Sequence, residues 1–255
     1  MAKKTKISSF LLFTVAGALM VAGWLMAPFP ILIFIALSPL LALADQKEIK
    51  APVWEKMEYI LLAIGVSFLA FSISNDRSVV ASLVSSIAIA IAFVAHAWVS
   101  QTLGVRTGKI TILIFWLAIE YLFLKFNPET CIFLADTLRL QSAWTRWNIH
   151  TGFLGGTLWI LLVNWSVYKS FLTGDGFRWF WLLSALILLL GPIIYSYQLD
   201  NASITHQEMV NAYSSVPIKE DVNYLANGEF IVRTAAWLST LILLFTFAKS
   251  QTTKR

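Results

Sequence analysis

The chain is poor in charge. Only 13% of its 255 residues are Asp, Glu, Lys or Arg, against about 25% in soluble domains. By contrast 58% are hydrophobic, and the mean hydropathy is +0.73. A chain with so few solvating groups is an integral membrane protein. Cysteine is almost absent. Cys131 stands alone, which excludes an intrachain disulfide and a thiolate metal cluster, and no metal or other cofactor is expected. Gly/Ser linkers, low-complexity tracts and internal repeats are also missing, so residues 1–255 read as a single transmembrane domain. Long polar stretches are lacking too. The longest, 198–228, separates the last two apolar segments and holds roughly thirty residues. A unit that buries its own core usually needs more than about 50. Any function is therefore built in the bilayer, at its surface, or on a partner.

The formal net charge is +5, but it does not point to nucleic acid. The basic residues lie in short loops beside apolar segments, where positive charge sets topology, and no nucleic-acid-binding module is present. The start, MAKKTKISSFLLFTVAGALMVAG, has the layout of a signal peptide. Its apolar run continues through Ala44 instead of giving way to a polar mature segment, so it is expected to be a retained helix.

A helix needs about 20 apolar residues to cross ~30 Å of hydrocarbon. From Ile7 to Ala44 there is no charge. That is too long for one span, and Pro28 and Pro30 interrupt it. Two spans are expected there, 8–26 and 29–44, the second kinked at Pro39. Six more follow at 56–74, 79–104, 109–126, 152–169, 177–197 and 229–248. The expected fold class is thus all-α, with eight transmembrane helices and both termini cytoplasmic. In that orientation 13 of the 19 basic residues face inward, as the positive-inside rule requires. Two segments face outward. Residues 127–151, with a mixed apolar pattern broken by Asp136 and Arg139, suit a helix lying at the interface or dipping in. Residues 198–228 are acidic, with Asp200, Glu208, Glu220 and Asp221 against Lys219. Most of the eleven tryptophans fall at predicted boundaries, as in an interfacial aromatic belt.

Few residues suggest chemistry. Glu120 lies deep in the fifth span, where a carboxyl must be neutral, paired or facing a cavity. His96, in the fourth span, is expected at a similar depth, which makes a Glu120–His96 contact a specific hypothesis. A structural polar contact is the preferred reading over catalysis. In WTRWNIHTGFLGGTLWILLVN (144–164), small residues from Thr151 to Thr157 let helices approach closely, and Asn164 needs a hydrogen-bond partner. Arg146 and His150 beside them suit either interfacial anchoring or a lipid phosphate. Cys131 has no basic partner nearby in sequence and nothing to lower its pKa, so it is not expected to be a nucleophile.

In order along the chain, five segments resemble the membrane part of apolipoprotein N-acyltransferase. They are IALSPLLAL (35–43), WLAIEYLF (116–123), WNIHTGFLGGTLWILLVN (147–164), GPIIYSY (191–197) and NGEFIVRTAAWLSTLILL (227–244). The resemblance implies a bacterial inner-membrane, multi-pass protein whose partners are phospholipid and a lipoprotein or another membrane protein. In that family the outer loop between spans seven and eight holds a large nitrilase-like domain with a Glu-Lys-Cys triad. Here 198–228 stands in its place, and no residue matches the triad. Arg146 replaces the glutamine usual before the matched tryptophan, Trp147, and ETCIFLADT (129–137) occupies the region of an expected Pro-Trp-Leu motif. The resemblance therefore implies a relative with no catalytic residues of its own. Its candidates for lipid or partner binding are Glu120, Tyr121, His96, Arg146, Trp147, His150, Gly152 and Asn164. A lipid-modifying enzyme with a relocated site or a separate catalytic subunit is the second expectation, and a small transporter the third.

Overall fold

The computed structural model describes residues 8–25, 30–45, 53–75, 77–104, 110–139, 141–173, 176–199 and 229–252. These are helical or irregular, with no strand among them. Each long apolar run folds as a helix, the conformation that satisfies backbone N–H and C=O groups within one segment. In chain order they are α1 (Ser9–Leu25), α2 (Ile33–Ala36), α3 (Ser38–Asp45), α4 (Val53–Ser74), α5 (Val79–Leu103), α6 (Thr111–Phe126), α7 (Asn148–Thr151), α8 (Gly155–Phe171), α9 (Trp179–Gln198) and α10 (Glu229–Thr252). Four stretches, Met57–Ser74, Val79–Leu103, Trp179–Gln198 and Phe230–Thr252, are long and apolar enough to cross a membrane.

Six helical rods close a ring. α1 packs on α4, α4 on α5, α5 on α6, and α6 on α8; the α2–α3 rod then joins α8 back to α1. α10 leans on α5 and α6 from outside, and α9 leans on α8. These two leave broad apolar faces uncovered, with Trp179, Phe180 and Ile187 on one and Trp237, Phe245 and Phe247 on the other mostly exposed. Phe34, Phe68, Phe93, Trp116 and Phe133 fill the interior.

The expected kink at Pro39 is a break. α2 ends at Ala36 and α3 begins at Ser38. Proline has no N–H to donate to the carbonyl four residues back, so the Ile35 carbonyl accepts from Ser38 Oγ instead, at 2.5 Å.

The segment after α6 differs from the expected interfacial helix. It runs extended through Cys131 and Phe133 and then forms a tight 3₁₀ turn over Leu134–Leu138. Cys131, Ile132, Phe133, Leu134, Ala135 and Leu138 are all buried. The chain here is irregular backbone enclosed by helices, not one regular helix. Buried non-helical backbone is tolerated only where protein groups satisfy it. The segment 198–228 lies outside the described residues except for Gln198 and Leu199.

Candidate functional site

The groups that satisfy that irregular backbone form the main polar cluster of the interior. Glu120 projects from α6 with no exposed surface. Its Oε1 accepts from Trp116 Nε1 at 2.9 Å, one turn back, and from the Leu134 amide at 2.8 Å; its Oε2 accepts from Thr157 Oγ1 at 2.6 Å. Thr157, on the first turn of α8, in turn accepts from the Ala135 amide at 3.2 Å. Ser85 of α5 accepts from the Ile132 amide at 2.7 Å while donating to the Ala81 carbonyl. Asp136 Oδ2 accepts from the Phe133 amide at 2.9 Å. Four side chains from α5, α6, α8 and the segment itself thus take up four consecutive backbone donors, at positions 132–135. Buried amides must find such acceptors.

Space for this arrangement comes from the glycines that open α8. A Cβ on Gly156 would sit 3.3 Å from both Ala135 Cβ and Leu138 Cδ1, and one on Gly155 would meet Thr151 Oγ1 at 2.1 Å. Gly152 closes α7 with φ of 74°, in the left-handed region that favours glycine.

Cys131 sits beside the cluster, its Sγ 3.4 Å from Ser85 Oγ. Burial pushes its thiol up to about 12, so the thiolate that a nucleophile needs is absent at neutral pH. A membrane-permeant maleimide should leave Cys131 unlabelled in the folded protein and label it fully after denaturation. Fast labelling of the native protein would contradict this burial.

Burial also pushes the Asp136 carboxyl up to about 6, against the opposing pull of the Phe133 amide and the Arg77 and Arg139 charges. The folded chain holds this proton more tightly than the unfolded chain. Its stabilising contribution is therefore complete below the ordinary value of 3.8 and is lost as pH rises through about 6. Asp136→Asn keeps an acceptor for the Phe133 amide and has no charge to desolvate. At pH 8 it should be more stable than the wild type, by up to roughly 3 kcal/mol at 1.36 kcal/mol per pKa unit, and the gain should vanish near pH 4. Thermal midpoints in detergent across that range test this, and parallel pH profiles for the two proteins would refute it.

The hypothesised Glu120–His96 contact is not formed. His96 Nδ1 lies 2.9 Å from Thr111 Oγ1, at the start of α6. Glu120 is nine residues further along, or about 13 Å at 1.5 Å per residue, and its three hydrogen bonds go elsewhere. His96 instead borders a small cavity lined by Leu41, Ala44, Asp45, Ile112, Trp165 and Tyr168. There Tyr168 Oη donates to Asp45 Oδ2, and the Lys169 ammonium lies 5.1 Å and 5.2 Å from the Trp165 and Tyr168 ring centres.

Asn164 has the partner that its burial demands. Its Oδ1 accepts from the Leu37 and Ser38 amides at 2.8 and 3.1 Å. Its Nδ2 donates to the Ile33 and Ile160 carbonyls at 2.8 and 2.9 Å. In a continuous helix the Leu37 amide would bond the Ile33 carbonyl. The Asn164 side chain is inserted between them and bridges the α2–α3 break.

The remaining candidates do not converge on this cluster. Tyr121 is half-buried, with Lys125 Nζ 5.8 Å from its ring. Arg146 is half-buried in the turn before α7. The Trp147 ring packs edge-on against Trp159 with centroids 5.9 Å apart, and its amide donates to Ser196 Oγ at 3.3 Å. His150 is exposed, and its Nε2 lies 3.1 Å from Tyr195 Oη. Ser196 and Tyr195 thus tie the C-terminal half of α9 to the 144–150 segment. Sequence reasoning overlooked Ser85, Thr157 as a hydrogen-bonding group, Ser196 and Tyr195. A lone hydroxyl in an apolar run was a signal for Thr157, in GGTLWILLV; Ser85 stands among Ser82 and Ser86, and Ser196 between two tyrosines, so nothing singled them out. Among the described residues no group of three or more His, Cys, Asp and Glu side chains could hold a metal ion. No family model, curated protein or solved structure matches the chain.

Proposed function

We propose that the chain is a catalytically deficient relative of apolipoprotein N-acyltransferase, a multi-pass scaffold of the bacterial inner membrane that binds lipid acyl chains, a lipoprotein or a partner protein. In this reading all eight apolar stretches span the bilayer and both termini are cytoplasmic. The segments 75–78, 127–151 and 198–228 then share the outer face.

One observation carries the reading. Three of the resembling segments are hydrogen-bonded to one another through Glu120, Thr157 and Asn164. Glu120 of WLAIEYLF holds Thr157 of WNIHTGFLGGTLWILLVN, and Asn164 of the same segment holds the helix break in IALSPLLAL. This is the behaviour of a scaffold whose polar residues maintain its shape. Glu120 has no exposed surface and does not line the cavity beside His96, whereas a general acid or base must come within hydrogen-bond reach of substrate. Cys131 is buried beside it with its thiol protonated.

Purified protein incubated with phospholipid and a diacylated lipopeptide should give no acyl transfer. It should still be labelled by a photoactivatable phospholipid carrying the reactive group on its acyl chain. Robust transfer that disappears in His150→Ala would overturn the reading in favour of a lipid-modifying enzyme.

A further inference from the structure

Four side chains able to hydrogen-bond converge on the small cavity between α3, α5, α6 and α8: Asp45, His96, Trp165 and Tyr168. Three of them have partners close by. Tyr168 Oη donates to Asp45 Oδ2, and His96 Nδ1 lies 2.9 Å from Thr111 Oγ1. Trp165 differs. Its Nε1 is buried and has no hydrogen-bond partner among the described residues. An indole N–H can only donate, and a buried donor left unsatisfied is costly. The Trp165 ring meets Trp181 edge-on with centroids 5.3 Å apart, but a bond from an N–H to a ring is second-order.

The size and chemistry of the cavity select what can accept from Trp165. Its volume of about 10 Å³ is the least that holds a water molecule, which needs roughly 10–15 Å³ and about two to four polar partners. A water accepts from the indole and has two protons of its own to donate. A carboxyl keeps lone pairs to spare after one hydrogen bond, a phenol oxygen that donates can also accept, and the second nitrogen of an imidazole serves as donor or acceptor. A cation of the same size is disfavoured twice. It has no lone pair for an indole N–H, and the buried Lys169 ammonium lies 5.1 Å from the Trp165 ring centre, where like charges repel.

We propose that this cavity binds one ordered water molecule, which accepts from Trp165 Nε1 and donates to the Asp45 carboxyl. The water ties α8 to α3 at the end of α6 away from the Glu120 cluster. Such a water is part of the fold and costly to remove. The site does not depend on kinship to the acyltransferase, so the absence or presence of acyl transfer leaves it untouched.

Hydroxyl-radical footprinting of the full chain in detergent tests it, because radicals made by X-ray radiolysis of a bound water mark the side chains beside it. Tyr168 is 3% exposed and Trp116 1%, and Trp116 does not line this cavity. Indoles react with hydroxyl radicals at least as fast as phenols, so a dry cavity would leave Tyr168 no more labelled than Trp116. With the water bound, Tyr168 should be labelled well above Trp116. Ala44→Val, which fills the cavity from α3, should abolish that excess while Trp116 stays protected. Equal protection of Tyr168 and Trp116 in the wild type would overturn the proposal. So would an excess that survives in a folded Ala44→Val variant, because Tyr168 would then be reached by bulk water. Should that variant not fold, the wild-type comparison decides alone. Exchanging sodium for ammonium at constant ionic strength should leave the thermal midpoint unchanged; a rise with ammonium would make a cation the ligand and overturn the water assignment.

Discussion

Glu120→Ala should be among the most damaging single substitutions in this chain. Truncation leaves the Trp116 indole, the Leu134 amide and the Thr157 hydroxyl without their acceptor in a site with no exposed surface. A buried donor left unsatisfied costs about 1–3 kcal/mol, so the total loss should be at least roughly 3 kcal/mol, a large share of an ordinary domain's stability. Glu120→Gln should lie between the two. Its carbonyl oxygen can take the place of Oε1, and the Thr157 hydroxyl, which can also accept, can turn to receive from the new amide. The expected order of thermal midpoints in detergent is wild type, then glutamine, then alanine. A wild-type midpoint for Glu120→Ala would show that the carboxyl is not the clasp between α6, α8 and the 131–138 segment. The same series bears on function. A catalytic carboxyl would give a glutamine variant that is stable and inactive, whereas a structural one gives a variant whose losses follow its stability.

The helices were legible because each rests on a local property, a run of apolar residues ended by charge or proline. Pro39 was legible for the same reason: a proline inside an apolar run removes one known hydrogen bond. Asn164 was legible as a need, since a buried amide requires partners, but apart from the Ile160 carbonyl its partners lie 126–131 residues away and no spacing encodes them.

The path of residues 127–139 was the hardest to read. Cys131–Leu138 has neither the 3.6-residue nor the 2-residue period, because its side chains are surrounded on all sides. Its stability comes from hydroxyls and carboxyls placed on other helices. Among those acceptors the sequence marked Glu120 as a carboxyl in an apolar span and left Thr157 as a single hydroxyl in an apolar run, whereas Ser85 is hidden among Ser82 and Ser86. The hypothesised Glu120–His96 pair does not form, because similar depth on two helices does not set which faces meet. Helix α6 turns Glu120 toward the buried segment and Thr111 toward His96, so the two ionisable groups serve different ends of the same rod.

Asn164→Ala should cost several kcal/mol, and the loss should depend on Pro39. Removing the amide leaves the Leu37 and Ser38 N–H groups and the Ile33 carbonyl unsatisfied in a buried site, at about 1–3 kcal/mol each. Asn164→Asp should be as damaging, because a carboxylate cannot donate to the Ile33 and Ile160 carbonyls. The break exists because Pro39 cannot donate to the Ile35 carbonyl and its ring crowds that turn. Pro39→Ala restores the donor and lets the α2–α3 rod close into one helix, in which the Leu37 amide bonds the Ile33 carbonyl directly. In the wild-type background Pro39→Ala should itself destabilise, since a continuous helix expels the Asn164 side chain from its bonds. In the Asn164→Ala background it should stabilise. The double-mutant cycle should therefore show coupling of at least about 1 kcal/mol, with the sign of the Pro39→Ala effect reversing. Additive effects would mean that the helix break is held by packing alone and that Asn164 does not substitute for the missing rung.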